Sequence, residues 1–243
     1  MLLKKIIPCF VMAFLVACGD GDSDFVSRPD AVESSSSVTS QSSSSKGLDW
    51  SLPKEVYLNP EIDYGTMTDE RDGKTYKTVK IGDQTWMAEN LNYSDSVATE
   101  SLKGRTWCYN DVAANCDVAG RLYIWEVALN SCPAGWHLPT QAEWDSLFTA
   151  VGGRSTAGKF LRSQTGWYDN GNGTDAFGFS ALPAGERDYF DNFHYDGLDA
   201  YFWSSTDFDS TKAYRMFLHY SYEFADLCGN DKGYAYSIRC LKD

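Results

Sequence analysis

The sequence predicts an α+β domain of short helices, small antiparallel sheets and long loops over residues 64–243. Three observations carry this reading. Runs rich in β-branched and aromatic residues alternate apolar with polar at 75–81, 84–87, 214–220 and 236–240. Only one helix is strongly specified, over 140–151. The polar, glycine-rich stretch 163–176 and the Asp-, Tyr- and Phe-rich stretch 185–199 read as loops of a length that is usually functional or specially stapled.

Taken in order, residues 1–18 read as a targeting segment. Lys4 and Lys5 form a positive start, and Ile6 to Val16 is an apolar run too short to span a bilayer. The run ends Leu15-Val16-Ala17-Cys18, which resembles the bacterial lipobox and marks Cys18 for acylation by fatty-acyl chains such as palmitate. Each buried methylene of such a chain is worth about 0.8 kcal/mol, so several chains anchor firmly. Gly19 follows in place of Asp, so no inner-membrane retention signal of the enteric kind is present. The expected location is the outer membrane or cell surface. Residues 19–47 combine aspartates with two serine runs and cannot bury enough apolar area to order themselves, so they read as a disordered tether. Residues 48–63 are transitional, with Trp50, Val56, Tyr57 and Leu58 expected to pack on the domain edge.

Within the domain, the turn pairs Asp72-Gly73 and Gly82-Asp83 bracket a strand whose hairpin partner is Gln84–Met87. Thr106–Tyr109 reads as a strand, 110–115 as a polar loop, and Leu122–Leu129 as a short helix from the spacing of Leu122, Trp125, Ala128 and Leu129. Cys132–Leu138 reads as a strand and turn. Thr140 and Glu143 then form a capping box, with Pro139 before it and Trp144, Leu147, Phe148 and Val151 on one face. Gly152-Gly153 ends that helix, and Ala157–Leu161 adds a helical turn. Phe177–Leu182 is a candidate buried strand stopped by Pro183. Three strands close the domain. They are Ala200–Ser204, then 214–220, where Tyr214, Met216 and Leu218 alternate with Arg215, Phe217 and His219, then 236–240.

Five cysteines lie beyond the targeting segment, and an exported protein favours disulfides. Cys108–Cys116 is the natural local pair. Cys132–Cys240 would tie the capped helix to the last strand, with Cys228–Cys240 as the alternative. Zinc is disfavoured, because no pair has Cys-x-x-Cys spacing.

A formal charge of −13 argues against nucleic acid as a partner, since phosphate binding needs a basic surface. Aromatic content of 15% is enough to furnish a contact surface as well as a core. Asp169, Asn170, Asn172 and Asp175 offer oxygen ligands on a glycine-rich loop, the chemistry of calcium. The EF-hand spacing is absent, and turn chemistry explains the same residues better, so no cofactor is assigned. His137 has no nucleophile beside it in sequence and reads as a turn residue; Glu143 is explained by its cap. No catalytic constellation emerges. Tyr189, Phe193, Tyr195, Asp196 and Tyr201, among Phe190, Asp188, Asp191 and Asp199, form the candidate ligand surface.

Several blocks resemble the Fibrobacter succinogenes major paralogous domain, in family order across residues 64–242. They are Asp72–Leu91, Gly120–Trp125, Cys132–Thr140, Phe177–Gly185, Phe202–Thr206 and Ser237–Leu241. The resemblance implies an exported, often lipid-anchored protein of a family without established activity. More distantly, Leu138–Trp144 and Ile238–Cys240 look like segments of the formylglycine-generating sulfatase modifiers, which implies a C-type-lectin-like architecture. It does not imply their copper chemistry, because Cys228 and Cys240 are too far apart to match the paired cysteines of that family. The expectation is a tethered, non-catalytic module that binds an extracellular polysaccharide or protein. The alternatives are an enzyme related to the sulfatase modifiers and a structural envelope protein.

Overall fold

A computed structural model describes residues 47–94, 99 and 102–243. The targeting segment, the lipidation candidate Cys18 and the tether up to residue 46 lie outside the described residues. The described chain is α+β. One sheet has the order β1-β2-β3-β13-β6, built from Gly65–Thr68, Thr75–Ile81, Gln84–Met87, Leu241–Lys242 and Trp136–His137. The second has the order β11-β10-β9-β7-β12-β5-β4, with β8 beside β7. Its strands are β4 Thr106–Trp107, β5 Leu122–Ile124, β7 Ala184–Arg187, β8 Phe193–Asp196, β9 Asp199–Asp207, β10 Lys212–His219, β11 Asp226–Asp231 and β12 Ala235–Tyr236. Pairing is antiparallel except where β7 meets β9, with Gly185 opposite Ala200. The helices are α1 Ala113–Ala119, α2 Trp125–Ala128, α3 Gln141–Ala150 and α4 Arg154–Leu161. Among the described residues no helix is long and apolar enough to cross a membrane.

The best-specified local element forms as its sequence requires. Glu143 N–H donates to Thr140 Oγ1 at 3.3 Å, and Thr140 N–H donates to Glu143 Oε2 at 2.7 Å, so two otherwise orphaned donors at the start of α3 are satisfied. Behind this cap Trp144, Leu147 and Phe148 are buried. The Trp144 ring meets Trp86 of the first sheet at 4.8 Å and Phe202 of the second at 6.1 Å, so α3 packs against both. The Cys132–Cys240 and Cys108–Cys116 disulfides are both present. Residues 48–63 are folded, with Tyr57 buried and Trp50 stacked on Tyr109 at 5.2 Å, while Val56 is exposed.

Several local readings change. Leu122–Ile124 is a strand, and only Trp125–Ala128 is helical. A strand followed by one helical turn buries Leu122, Trp125 and Ala128 just as a helix would, so spacing alone could not separate the two. Residues 110–115 are a 3-10 turn running into α1. Gly178–Leu182 is buried and Phe177 half-buried, but the stretch is no strand, because Ser180 adopts φ 50° and its N–H is taken by the Asp175 carboxylate at 2.7 Å. The loop expected at 185–199 contains the β7–β8 hairpin. The last predicted strand is two, because the chain crosses between sheets: Ile238 O accepts from Leu91 N–H, and Cys240 O accepts from Met87 N–H. Strands β1 and β11 had not been expected from the sequence.

Candidate functional site

One face of the second sheet packs on the main core, and the other carries a second buried cluster around Tyr201, Trp203 and Tyr236, rimmed by polar and aromatic groups. On β10, Met216 and Leu218 point into the core. Arg215, Phe217 and His219 alternate with them and take the other face. Register places Arg215 beside Trp203, Phe217 beside Tyr201 and His219 beside Asp199 on β9. Aromatic rings there form an unbroken row. Phe190 meets Tyr189 at 4.1 Å, Tyr189 meets Tyr234 at 5.5 Å, and Tyr234 meets Tyr236 at 6.0 Å. Tyr201 is stacked between Tyr236 and Phe217, 5.0 Å from each. Phe217 leads at 6.2 Å to His219, then at 4.5 Å to Tyr222 and at 4.9 Å to Phe224. The ends of the row are exposed: Tyr189 57%, Phe190 69%, Tyr222 44% and Phe224 43%.

Each end is held in place by its own scaffold. In the β7–β8 connection, Asp188 Oδ1 accepts from the N–H groups of Phe190 and Asn192 at 2.8 and 2.9 Å, an Asx-type turn that presents the rings. Gly185, at φ 67°, lets β7 and β8 approach, since a Cβ there would stand 2.1 Å from His194 O. At the other end, Arg162 Nη1 donates to the carbonyls of His219 and Tyr222. Gly158 of α4 lets that loop settle, because a Cβ would meet Phe224 O at 2.4 Å.

Beneath the middle of the row sits a charged cluster. Glu186 and Asp199 are buried, and that burial pushes both carboxyls up to about 7. Arg215 opposes the shift in each and lies 4.9 Å over the rings of both Tyr201 and Phe217. Tyr201 Oη donates to Asp199 Oδ2 at 2.8 Å. Asp199 Oδ1 and the Nε and Nη1 of Arg215 are buried without a hydrogen-bond partner. His219 Nε2 stands 3.8 Å from Asp199 Oδ1, too far for a hydrogen bond. Two carboxyls near neutrality beside a guanidinium are equipped to accept or donate hydrogen bonds at physiological pH.

The candidate surface residues do not form one exposed patch. Tyr201 is 7% exposed and stacked within the row, so it supports the surface without presenting a free ring, because β9 lies inside the sheet between β7 and β10. Tyr189 stands at one exposed end. Phe193 packs edge-on against Tyr109 at 5.3 Å, and Asp196 accepts from Tyr109 Oη at 2.9 Å and Trp50 Nε1 at 3.2 Å, so both help to hold residues 48–63. Tyr195, at φ 65°, lies beside His194. Sequence reasoning passed over Arg215, Glu186, Tyr234, Tyr236, Tyr222 and Phe224 as site residues. The alternation of Arg215, Phe217 and His219 was legible, but the strands that flank it were not.

Other candidates are engaged in structure. In the loop considered for calcium, Asp175 is fully buried and accepts from Ser180 N–H and Oγ, and Asn172 Oδ1 accepts from Trp167 N–H at 3.0 Å. Asp169 and Asn170 adopt positive φ, the turn chemistry of these residue types. Among the described residues no group of three or more His, Cys, Asp or Glu side chains is placed to hold a metal ion. His137 has Asp243 Oδ1 at 2.6 Å from Nδ1 and Glu143 Oε1 at 3.0 Å from Nε2, so both ring nitrogens are occupied. Burial pulls its pKa down, but these two carboxylates outweigh that and raise it. The result is a latch between the end of the last strand and the α3 cap.

A cleft of about 240 Å³ lies elsewhere, lined by Lys54, Lys74, Tyr76, Glu89 and Arg239 among others. Its lysines already have partners: Lys54 pairs with Glu89 at 2.7 Å, and Lys74 with Asp72 at 2.7 Å. The aromatic row, which exposes ring pairs at both of its ends, is therefore the stronger candidate.

No curated protein and no solved structure matches the chain. The family model described as Fibrobacter succinogenes major domain matches residues 79–242. That span takes in the whole second sheet and the aromatic row, with the first sheet from the end of β2 onward, and it covers more than half of the sequence, so this chain belongs to the Fibrobacter succinogenes major domain family.

Proposed function

We propose that the protein is a lipid-anchored binding module that presents its aromatic row to an extracellular polysaccharide. One observation carries the reading: exposed ring pairs at both ends of a continuous row, Tyr189/Phe190 and Tyr222/Phe224, separated by a buried, hydrogen-bonding centre. Aromatic faces cover the apolar face of a sugar ring, while carboxyls and a guanidinium beside them exchange hydrogen bonds with hydroxyls. An extended row suits a chain ligand better than a compact one. The Leu-Val-Ala-Cys18 segment and the serine-rich tether support display at the outer membrane or cell surface, with Cys18 as the acylated residue. Retention on a panel of insoluble polysaccharides tests the reading. At least one polymer retains the wild type, and both Y189A/F190A and Y222A/F224A lower retention. A panel that retains nothing, while a protein from the same envelope co-precipitates, transfers the row to a protein partner. Detergent phase partition tests the anchor, with Cys18→Ser moving the protein into the aqueous phase.

The carboxyls of Glu186 and Asp199, held near neutrality, favour a second reading, acid–base chemistry on the bound chain. Release of new reducing ends from a retained polymer, abolished by Glu186→Gln, would support it over binding alone.

A further inference from the structure

The charge along the row narrows the class of polymer. Acidic groups follow it from end to end: Asp188 and Asp231 by Tyr189 and Tyr234, the buried carboxyls of Glu186 and Asp199 beneath the middle, and Glu223 in the loop that carries Tyr222 and Phe224. The cations nearby are engaged. Lys159 pairs with Glu223 at 3.1 Å, Arg187 pairs with Asp191 and lies 3.9 Å over Trp107, and Arg162 donates to backbone carbonyls. Arg215 sits between two carboxyls. The phenols report the same field. Burial raises Tyr201, Tyr234 and Tyr236, and in each the neighbouring acids add to the shift. The Asp199 side chain, in a residue 5% exposed, adds negative charge from below the rings, with His219 Nε2 3.8 Å from its Oδ1. A surface of acceptors and negative charge matches a ligand rich in hydroxyl donors and repels carboxylate or sulfate groups.

We infer that the row takes a polysaccharide free of anionic substituents and discriminates against uronate- or sulfate-bearing chains. This rests on the binding reading above, and the test separates the two. Affinity electrophoresis of the full chain is run in gels containing polymers matched in backbone and differing in charge. The pairs are hydroxyethyl cellulose with carboxymethyl cellulose, and fully methyl-esterified polygalacturonate with its free acid. The expected result is retardation by an uncharged member and at least about tenfold weaker retardation by its anionic counterpart at low salt, with the gap closing as salt screens it. Removing exposed rim charge with E223Q and D231N, neither of them part of the row itself, narrows the gap by about threefold. Equal or stronger retardation by the anionic member overturns the charge class while leaving polysaccharide binding intact. No retardation by any polymer overturns both.

Discussion

Arg239 and Arg215 each lie over a pair of aromatic rings, and they are held in opposite ways. Arg239 is fully buried, 4.7 Å over Phe179 and 5.5 Å over Phe202. Its donors are taken up by Asn90 Oδ1 at 2.6 Å, Ser180 O at 2.8 Å, Met87 O at 3.3 Å and Phe179 O. The rings around it are Trp and Phe with little polar chemistry, and burial pulls its pKa down to about 9. Arg215 lies over Tyr201 and Phe217, and its Nε and Nη1 meet no protein acceptor. The rings beneath it, Tyr201 and Phe217, belong to a stack that continues to Tyr236, and its neighbours are two carboxyls near neutrality. The same pair of side-chain types builds a scaffold where every donor is satisfied and a candidate site where donors are left over. Hydrogen-bond completion is what separates them.

The largest expected effect falls on the scaffold side. Cys240 follows Arg239 and fixes the closing segment, and its bond to Cys132 spans a sequence separation of 108. Replacing both cysteines by Ala should cost about 4–5 kcal/mol of unfolding free energy in urea titrations, on chain entropy. Replacing Cys108 and Cys116, separated by 8, should cost about 2–3 kcal/mol. Equal losses from the two pairs would mean that loop length does not govern their contributions.

Next comes the arginine pair itself. Arg239→Ala leaves buried carbonyls and Asn90 without their donor and should cost about 3–5 kcal/mol. Arg215→Met keeps the stem over the rings and breaks no protein hydrogen bond at Nε or Nη1, so about 1 kcal/mol or less is expected. Similar losses would erase the distinction drawn between scaffold and site.

The carboxyls give a pH signature. Glu186 and Asp199 titrate near 7 in the folded chain, above their unfolded values near 4. The folded state thus holds more protons between those limits. Their contribution is fully present below about pH 4 and is lost as pH rises through 7. Burial sets most of the Glu186 shift, and Arg215, Asp199, His194 and Tyr236, which face it, adjust the midpoint. Glu186→Gln should flatten the fall in stability between pH 5 and 8 by about 1–3 kcal/mol. Asp175, also raised to about 7 by burial, keeps its share of that slope in the variant. An unchanged slope would place Glu186 outside the titrating cluster.

The smallest stability effect belongs to the row's exposed end. Y189A/F190A should change unfolding free energy by less than about 0.5 kcal/mol per residue, while polymer retention falls several-fold. A large loss of stability instead would make the hairpin tip part of the scaffold.

The capped helix was fully legible, because Thr140, Glu143 and the apolar face behind them act within one turn of each other. The β2–β3 hairpin was legible for the same reason, its turn lying between strands that pair with each other. The β7–β8 hairpin was hidden, since Tyr189, Phe190 and the aspartates around them look like loop until Glu186 is seen opposite His194. The Tyr201 ring was assigned to the right neighbourhood and the wrong exposure, because its burial depends on Tyr236 and Phe217, which arrive from other strands.

The sequence by itself determined the α+β class, the capping box, the acidic balance and the blocks that carry the family resemblance, all of which rest on local spacing or composition. Only the tertiary structure decided which arginine is satisfied, which tyrosines are buried, and that rings from the hairpin tip, β9, β10, β12 and the loop after β10 fall into one row. Those outcomes depend on contacts between segments distant in the chain. A residue's own neighbours in sequence say which face it takes, and the strand placed beside it says what that face becomes.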